Sequence, residues 1–237
     1  MNILVANSRG AGLRELIPNS IVQKVLYRPG ARVSSLGHLA ANTNVSLNSP
    51  SESHVYILAG IPDITTKLKG EKYEEVVFLD QPETATSKIL DTIISTKSLL
   101  EKAKIKPIFC TISSMHIEKW NQTRLRQNKT TKLCYTSQYT QMQNNLNITL
   151  DAVNYKIIEL NKNSGMHTPM THKVIKHPKG KGKHNYKYNL LVDGVHGDQK
   201  AKAQWAKGII QAIKKNRSED SEEELEEKRS WRKERHE

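Results

Sequence analysis

The sequence predicts an α/β protein, a three-layer α/β/α sandwich around a central, mainly parallel sheet. Three observations carry this. Short, almost continuously apolar runs at 2–6 (NILVA), 54–59 (HVYILA) and 107–112 (PIFCTI) have the length and β-branched content of strands buried on both faces. Between and after them lie segments with apolar residues at helical spacing. Strand and helix therefore alternate, the order that gives a parallel sheet covered on both sides.

Taken in order, 2–6 is the first strand, punctuated by Gly10 and Gly12, with a short helix over 13–17 closed by Pro18. Residues 20–27 (SIVQKVLY) alternate apolar and polar at their centre and suit a second strand. Residues 34–41 read as helix, with serines available as N-caps. The run 54–59 is the most strand-like in the chain, and 75–79 (EVVFL) is a shorter added or edge strand. Helix follows over 83–103, where Ile89, Ile93, Ile94 and Leu100 share a face, then the strand 107–112, whose Cys110 is a core residue rather than a reactive one. The clearest helix is 137–161: Met142, Leu146, Leu150, Val153, Ile157 and Leu160 step by fours and threes. A last helix runs from Asp198, its N-cap, to Ile213, burying Ala201, Trp205, Ile209 and Ile213. No internal repeat is visible.

The chain of 237 residues carries 37 Lys and Arg against 24 Asp and Glu, a net charge of +13. At 36% hydrophobic residues a core is readily built, while 5% aromatic residues exclude an array of base-stacking platforms. Residues 214–237 hold 8 basic and 9 acidic side chains, so the excess falls on 1–213. This divides the chain into a folded domain, 1–213, and a charged tail, 214–237, expected as a helical extension or a disordered arm. Two acid-free stretches concentrate the positive charge and are expected as surface loops. One is 119–132, with Lys119, Arg124, Arg126, Lys129 and Lys132; the other is 167–187, with Lys173, Lys176, Lys179, Lys181 and Lys183 among its six lysines. Each is a solvated loop or a surface for phosphate and other anions. The histidines at 167, 172, 177 and 184 lack the tighter Cys/His spacing of zinc sites, so no metal is expected. Two cysteines make no disulfide framework, no run is long enough to span a membrane, and 1–10 lacks the form of a secretion signal. An intracellular protein, cytoplasmic or nuclear, is the expectation, with the sequons at Asn44, Asn121, Asn128 and Asn147 as chance matches.

In open α/β sheets ligands gather at the carboxyl ends of the strands. Those ends read Asn7-Ser8-Arg9-Gly10 after the first strand, Gly30 after the second and Gly60-Ile61-Pro62-Asp63 after the third, while Asp193-Gly194-Val195-His196 precedes the last helix. Singly, each has a plain structural use: Ser8 as a helix cap, Gly30 as a turn glycine, Asp193 and His196 as loop and cap residues. Jointly and in this order they have a catalytic one. A serine hydroxyl needs a base within hydrogen-bond reach, and a carboxylate three residues from a histidine can orient its ring.

Taken together these blocks resemble the SGNH/GDSL hydrolase superfamily, which has a flavodoxin-like sheet. That family places a nucleophilic serine after the first strand, a glycine after the second, Gly-x-Asn-Asp after the third, and Asp-x-x-His before a final helix. The closing block LLVDGVHGDQKAKAQWAKGIIQAI is the most specific match, and the order of elements spans residues 2–213. The resemblance implies a serine esterase or acyl hydrolase acting on a small acyl ester without cofactor or metal. It makes Ser8 the nucleophile, His196 the base and Asp193 its orienting partner, gives the oxyanion hole to the backbone N–H groups of Ser8 and Gly30, and lines the substrate site with Gly60 and Asp63. Two departures stand out. Gly-Asp-Ser is here Ala6-Asn7-Ser8, and Pro62 replaces the asparagine that donates to the oxyanion; Asn42, Asn44 and Arg9 are candidates to replace that donor. SGNH-like domains without hydrolytic activity also occur, among them the RNA-binding domain of the germ-plasm protein Oskar and domains beside reverse transcriptases in invertebrate mobile elements. The alternative implied is a catalytically weak or inactive domain that binds RNA or another nucleic acid, such as DNA, through the two basic stretches. Acyl substrate and oligomeric state are not written in the sequence.

Overall fold

The computed structural model describes residues 1–46, 53–70, 74–178 and 184–234, with side chains described for 1–43, 53–70, 74–176 and 185–218. Four parallel strands make the central sheet: β1 (Asn2–Ala6), β2 (Lys24–Tyr27), β3 (Ser53–Leu58) and β6 (Ile105–Phe109), in the order β2-β1-β3-β6. Leu4 pairs with Val25 on one side and Tyr56 on the other, and Tyr56 in turn pairs with Ile108. Because side chains alternate along a strand, the same residues build two cores. Ile3, Val5, Val55, Ile57 and Phe109 face α1 (Val33–Ser46), α3 (Pro82–Lys102) and α5 (Tyr139–Asn163). Leu4, Ala6, Tyr56, Leu58 and Ile108 face α6 (Gln199–Glu234) and the segment around Leu13, Ile17 and Val22. This is the predicted three-layer α/β/α sandwich, and every side chain of β1 and β3 is buried.

The helices follow from their sequences. Pro82 opens α3, where its missing N–H costs nothing, and Ala85, Ile89, Ile93, Thr96 and Leu100 form its buried stripe. The buried face of α5 carries Met142, Leu146, Leu150, Val153 and Ile157 as predicted, but also Asn154 and Asn161. These two asparagines hold the free edge of the sheet. Asn154 accepts from Ile112 N–H (2.6 Å) and donates to its carbonyl (2.9 Å), and Asn161 does the same for Phe109 (3.2 and 2.8 Å). Edge strands leave unpaired amides, and side-chain amides on the covering helix satisfy them here. The expected N-cap of α6 is present, Asp198 Oδ1 accepting from Ala201 N–H at 2.7 Å.

Several elements differ from the sequence reading. Residues 11–17 form turns rather than a helix, and only the second half of 20–27 is strand. Helix α6 does not stop at Ile213. It continues to Glu234, and packing persists beyond 213: Asn216 is buried and donates to Tyr56 Oη at 3.0 Å, while Arg217 donates to the Ser20 and Ile21 carbonyls. The run 75–79 contributes β5 (Glu74–Val77), which pairs with β4 (Thr66–Lys69) in a separate antiparallel hairpin preceded by the single-turn α2 (Ile61–Ile64). The basic stretch 119–132 is no loop over its first half. Residues 119–126 lie on α4 (Ile117–Arg126), whose few apolar residues hide its period; fully buried Asn121 fastens it to the hairpin by bonding both N–H and C=O of Val76. That burial leaves the Asn121 sequon inaccessible. Residues 167–187 include a 3-10 turn (Thr171–Val174) and the hairpin of β7 (Lys176–Pro178) and β8 (His184–Tyr186).

Candidate active site

Ser8 begins a 3-10 turn (Ser8–Gly10) directly at the carboxyl end of β1. Asn7 makes the turn. Its N–H donates to the Leu58 carbonyl of the neighbouring strand at 3.1 Å, and its Oδ1 accepts from Arg9 N–H at 3.0 Å. A neutral amide thus fills the capping role a carboxylate would otherwise take. Gly10 is needed because a Cβ there would lie 2.5 Å from that of Ala6 and 3.1 Å from that of Tyr27.

The Asp193–His196 loop is built in the same self-contained way. Asp193 Oδ1 accepts the backbone N–H groups of Val195 (3.0 Å) and His196 (2.8 Å), and its Oδ2 lies 2.6 Å from His196 Nδ1. Burial works against the Asp193 charge, but these hydrogen bonds and the facing imidazole hold its pKa down at about 2. The loop is closed by a bridge between Leu191 and Gly197 and by Val192 N–H on the His196 carbonyl (2.7 Å). It packs onto the start of α4, where Gly194 accepts from His116 N–H at 2.8 Å and the Trp120 ring lies 5.8 Å from that of His196. His116 caps α4 through Nδ1 on Lys119 N–H (3.1 Å), and burial lowers its pKa.

Among the described residues, neither the Ser8 hydroxyl nor His196 Nε2 has a hydrogen-bond partner in the protein, so no direct serine–histidine bond is formed. Unliganded sites often hold these groups apart until substrate binds. The N–H groups of Ser8, Gly30 and Gly60 likewise meet no protein acceptor among the described residues. Gly30, with φ +69°, is exposed with open space around its α-carbon. Gly60 has φ +131°, and a Cβ there would come within 2.2 Å of Ile112 Cδ1. Pro62 falls in the first turn of α2, where a missing N–H is tolerated.

Asp63 is engaged by the backbone of α1. Both its carboxylate oxygens accept from Val33 N–H, at 3.2 and 3.1 Å, so it caps α1 and fixes the strand-two loop to the strand-three loop. Burial raises its pKa from 3.8 to about 6, opposed by the Val33 bond and by Arg32. The folded protein then keeps a proton that the unfolded chain releases. That contribution is complete below about pH 4 and disappears as pH climbs through 6, at most about 3 kcal/mol. Asp63→Asn is expected to flatten the dependence of Tm on pH between 4 and 7; a slope equal to that of the parent protein would contradict this.

The basic residues divide. Lys119 donates to the Leu191 carbonyl, Arg124 pairs with Glu74 and lies 5.6 Å over the Trp120 ring, and Lys176 pairs with Asp151. Arg126, Lys129, Lys132 and Lys173 are exposed, while Lys179, Lys181 and Lys183 lie outside the described residues. Of the candidate replacement donors, Asn42 is exposed and Asn44 lies outside the described side chains. Arg9 is turned inward with its guanidinium committed to backbone carbonyls. The sequence reading missed that inward turn, and with it the contacts of Trp120 and His116; adjacency to Ser8 was the only signal for Arg9. Among the described residues no cluster of His, Cys, Asp or Glu could hold a metal ion, and no helix is long and apolar enough to cross a membrane. A cleft of about 720 Å³ between α5 and α6 contains none of these site residues.

No family model matches the sequence, and no curated protein matches it. Solved structures do. A GDSL-like lipase from Bacteroides thetaiotaomicron aligns over 90% of this chain and 87% of its own, with TM-score 0.56 and 16% identity. A candidate acylhydrolase from Bacteroides fragilis aligns over 90% and 86%, with TM-score 0.58 and 16% identity. A member of the lipolytic G-D-S-L family from Veillonella parvula aligns over 89% and 96%, with TM-score 0.51 and 12% identity. The chain has the fold of the SGNH/GDSL hydrolase superfamily.

Proposed function

We propose that the protein is a serine esterase or acyl hydrolase of the SGNH type. The observation that carries this is the Asp193–His196 pair, 2.6 Å between Oδ2 and Nδ1, in a loop whose own amides fix the carboxylate. Its Nδ1 held by Asp193, the ring is left with Nε2 as its proton-exchanging atom. In this reading His196 Nε2 takes the Ser8 proton as Oγ attacks the ester carbonyl, forming a tetrahedral oxyanion. The same proton then passes to the leaving alcohol, and water repeats the sequence on the acyl-enzyme. Asp193 orients the ring and stabilises its protonated form. With Pro62 in the asparagine position, the oxyanion relies on backbone N–H groups, those of Ser8 and Gly30 first. Neither a metal nor an organic cofactor enters this chemistry. The experiment is labelling by a fluorophosphonate probe followed by peptide mapping. Modification at Ser8 alone is the expected result; no labelling, or labelling elsewhere, refutes it.

A second reading, RNA or DNA binding, is favoured by one observation. Arg126, Lys129 and Lys132, at and beyond the end of α4, are exposed without an ion pair among the described residues. Such binding should weaken at least tenfold between 50 and 200 mM salt, since it is driven by counterion release; a flat response argues against it.

A further inference from the structure

Arg9 is a charged side chain placed where charges are rarely tolerated: only 4% exposed, beside the proposed nucleophile, with no carboxylate bonded to it among the described residues. Its guanidinium is satisfied by three backbone carbonyls from two other parts of the chain. Nε donates to Val195 at 3.2 Å, inside the Asp193–His196 loop. Nη1 donates to Ser113 and Nη2 to Ser114 (3.0 Å), in the segment that leads from β6 to α4. The Trp205 ring of α6 lies 5.8 Å from the guanidinium carbon. Desolvation depresses the Arg9 pKa to about 10, and the charge of Asp193 opposes that drop.

These contacts meet at one point. The turn bearing Ser8 and the loop bearing His196 are 186 residues apart for the Arg9–Val195 bond, and no hydrogen bond joins Ser8 to His196 directly. Ser114 continues the linkage outward, its hydroxyl bonding Asn147 (2.7 Å) and Tyr188 (3.2 Å). The planar fork of an arginine can reach carbonyls on divergent sides at fixed angles, which a lysine cannot. We propose that Arg9 is a positioning residue, the clamp that sets the Asp193–His196 loop at a fixed distance from Ser8. The proposal rests on the hydrolase reading for its consequence in turnover, but not for the clamp itself.

Two variants and two readouts test it. One readout is kcat and KM for a short p-nitrophenyl ester. The other is the downfield proton NMR signal of the imidazole N–H shared by His196 and Asp193, observed whether or not ester is turned over. Arg9→Met is expected to lower kcat at least 100-fold with KM changed less than threefold, and to abolish the signal while far-ultraviolet circular dichroism stays that of the parent. Arg9→Lys, which keeps charge but not the fork, should recover about tenfold of that loss and retain a shifted signal. If Arg9→Met does not fold, Arg9→Lys decides by the same readouts. Parent kcat together with an unshifted parent signal, in whichever variant folds, overturns the proposal. A parent protein without esterase activity but with the signal lost in Arg9→Met refutes the hydrolase reading and leaves the clamp standing.

Discussion

Ser8→Ala is expected to lower kcat/KM for short p-nitrophenyl esters by at least about 1000-fold and to abolish fluorophosphonate labelling. Its Tm should stay within about 2 °C of the parent. The two halves of that expectation have different causes. In the hydrolase reading the Ser8 hydroxyl forms the acyl bond, so its loss removes the covalent route. It has no hydrogen-bond partner among the described residues, so its loss breaks no protein contact. The turn itself is held by Asn7 and Gly10, which the substitution leaves alone. Steady-state rates and a thermal melt decide the matter. Activity within threefold of the parent would remove Ser8 from the mechanism, and a large fall in Tm would show that the turn depends on it.

Gly194→Ala is expected to damage both stability and the site. Gly194 has φ +96°, outside the region a side chain tolerates, and a Cβ there would lie 2.6 Å from the His116 carbonyl oxygen and 2.7 Å from Trp120 N. Both are backbone atoms of a capped helix start, so the clash cannot be relieved by a rotamer change. Strain and displacement together should cost about 2–4 kcal/mol, a fall in Tm of about 5–15 °C for a chain of this size. Turnover should fall at least tenfold at temperatures where the variant remains folded, because the loop carrying Asp193 and His196 must move off α4. Gly30→Ala is the contrast: with φ +69° and open space around it, only conformational strain of about 1–2 kcal/mol is added. A Gly194→Ala protein as stable and active as Gly30→Ala would show that the loop does not sit on α4.

The difference between these two glycines illustrates what a sequence conveys. Both belong to the blocks read as a candidate site, one after a strand and one before the last helix, and nothing in the residues around Gly194 announces that a helix lies against it. The α4 segment is a case in point: KWNQTRLRQNKTTK has too few apolar residues for a period to show, and it reads as a loop. It is helical because Asn121 and Ile117 are buried against neighbours that only the fold supplies. Lys119 and Arg124 were counted as surface charge for the same reason, yet both are partnered. Asn154 and Asn161 are similar: polar residues on an apolar stripe, explained only by a sheet edge with unpaired amides.

What the sequence determined by itself was the layering and the order of the strand-end blocks. Strand runs at 2–6, 54–59 and 107–112 and the long stripe of α5 are local signals, since period and burial are imposed residue by residue. The Asp193–His196 contact was legible for a related reason: three-residue spacing in a tight loop is itself enough to bring a carboxylate onto an imidazole. What only the tertiary structure decided is where the Arg9 side chain points. Arg9 could have pointed into solvent or into the oxyanion site on sequence grounds. Its direction is set by carbonyls of Ser113, Ser114 and Val195, more than a hundred residues away, which exist as a cluster only after β6, α4 and the final loop have packed. Side-chain periodicity is a local property of the chain, whereas the direction of a buried charge is fixed by acceptors that arrive from elsewhere in it.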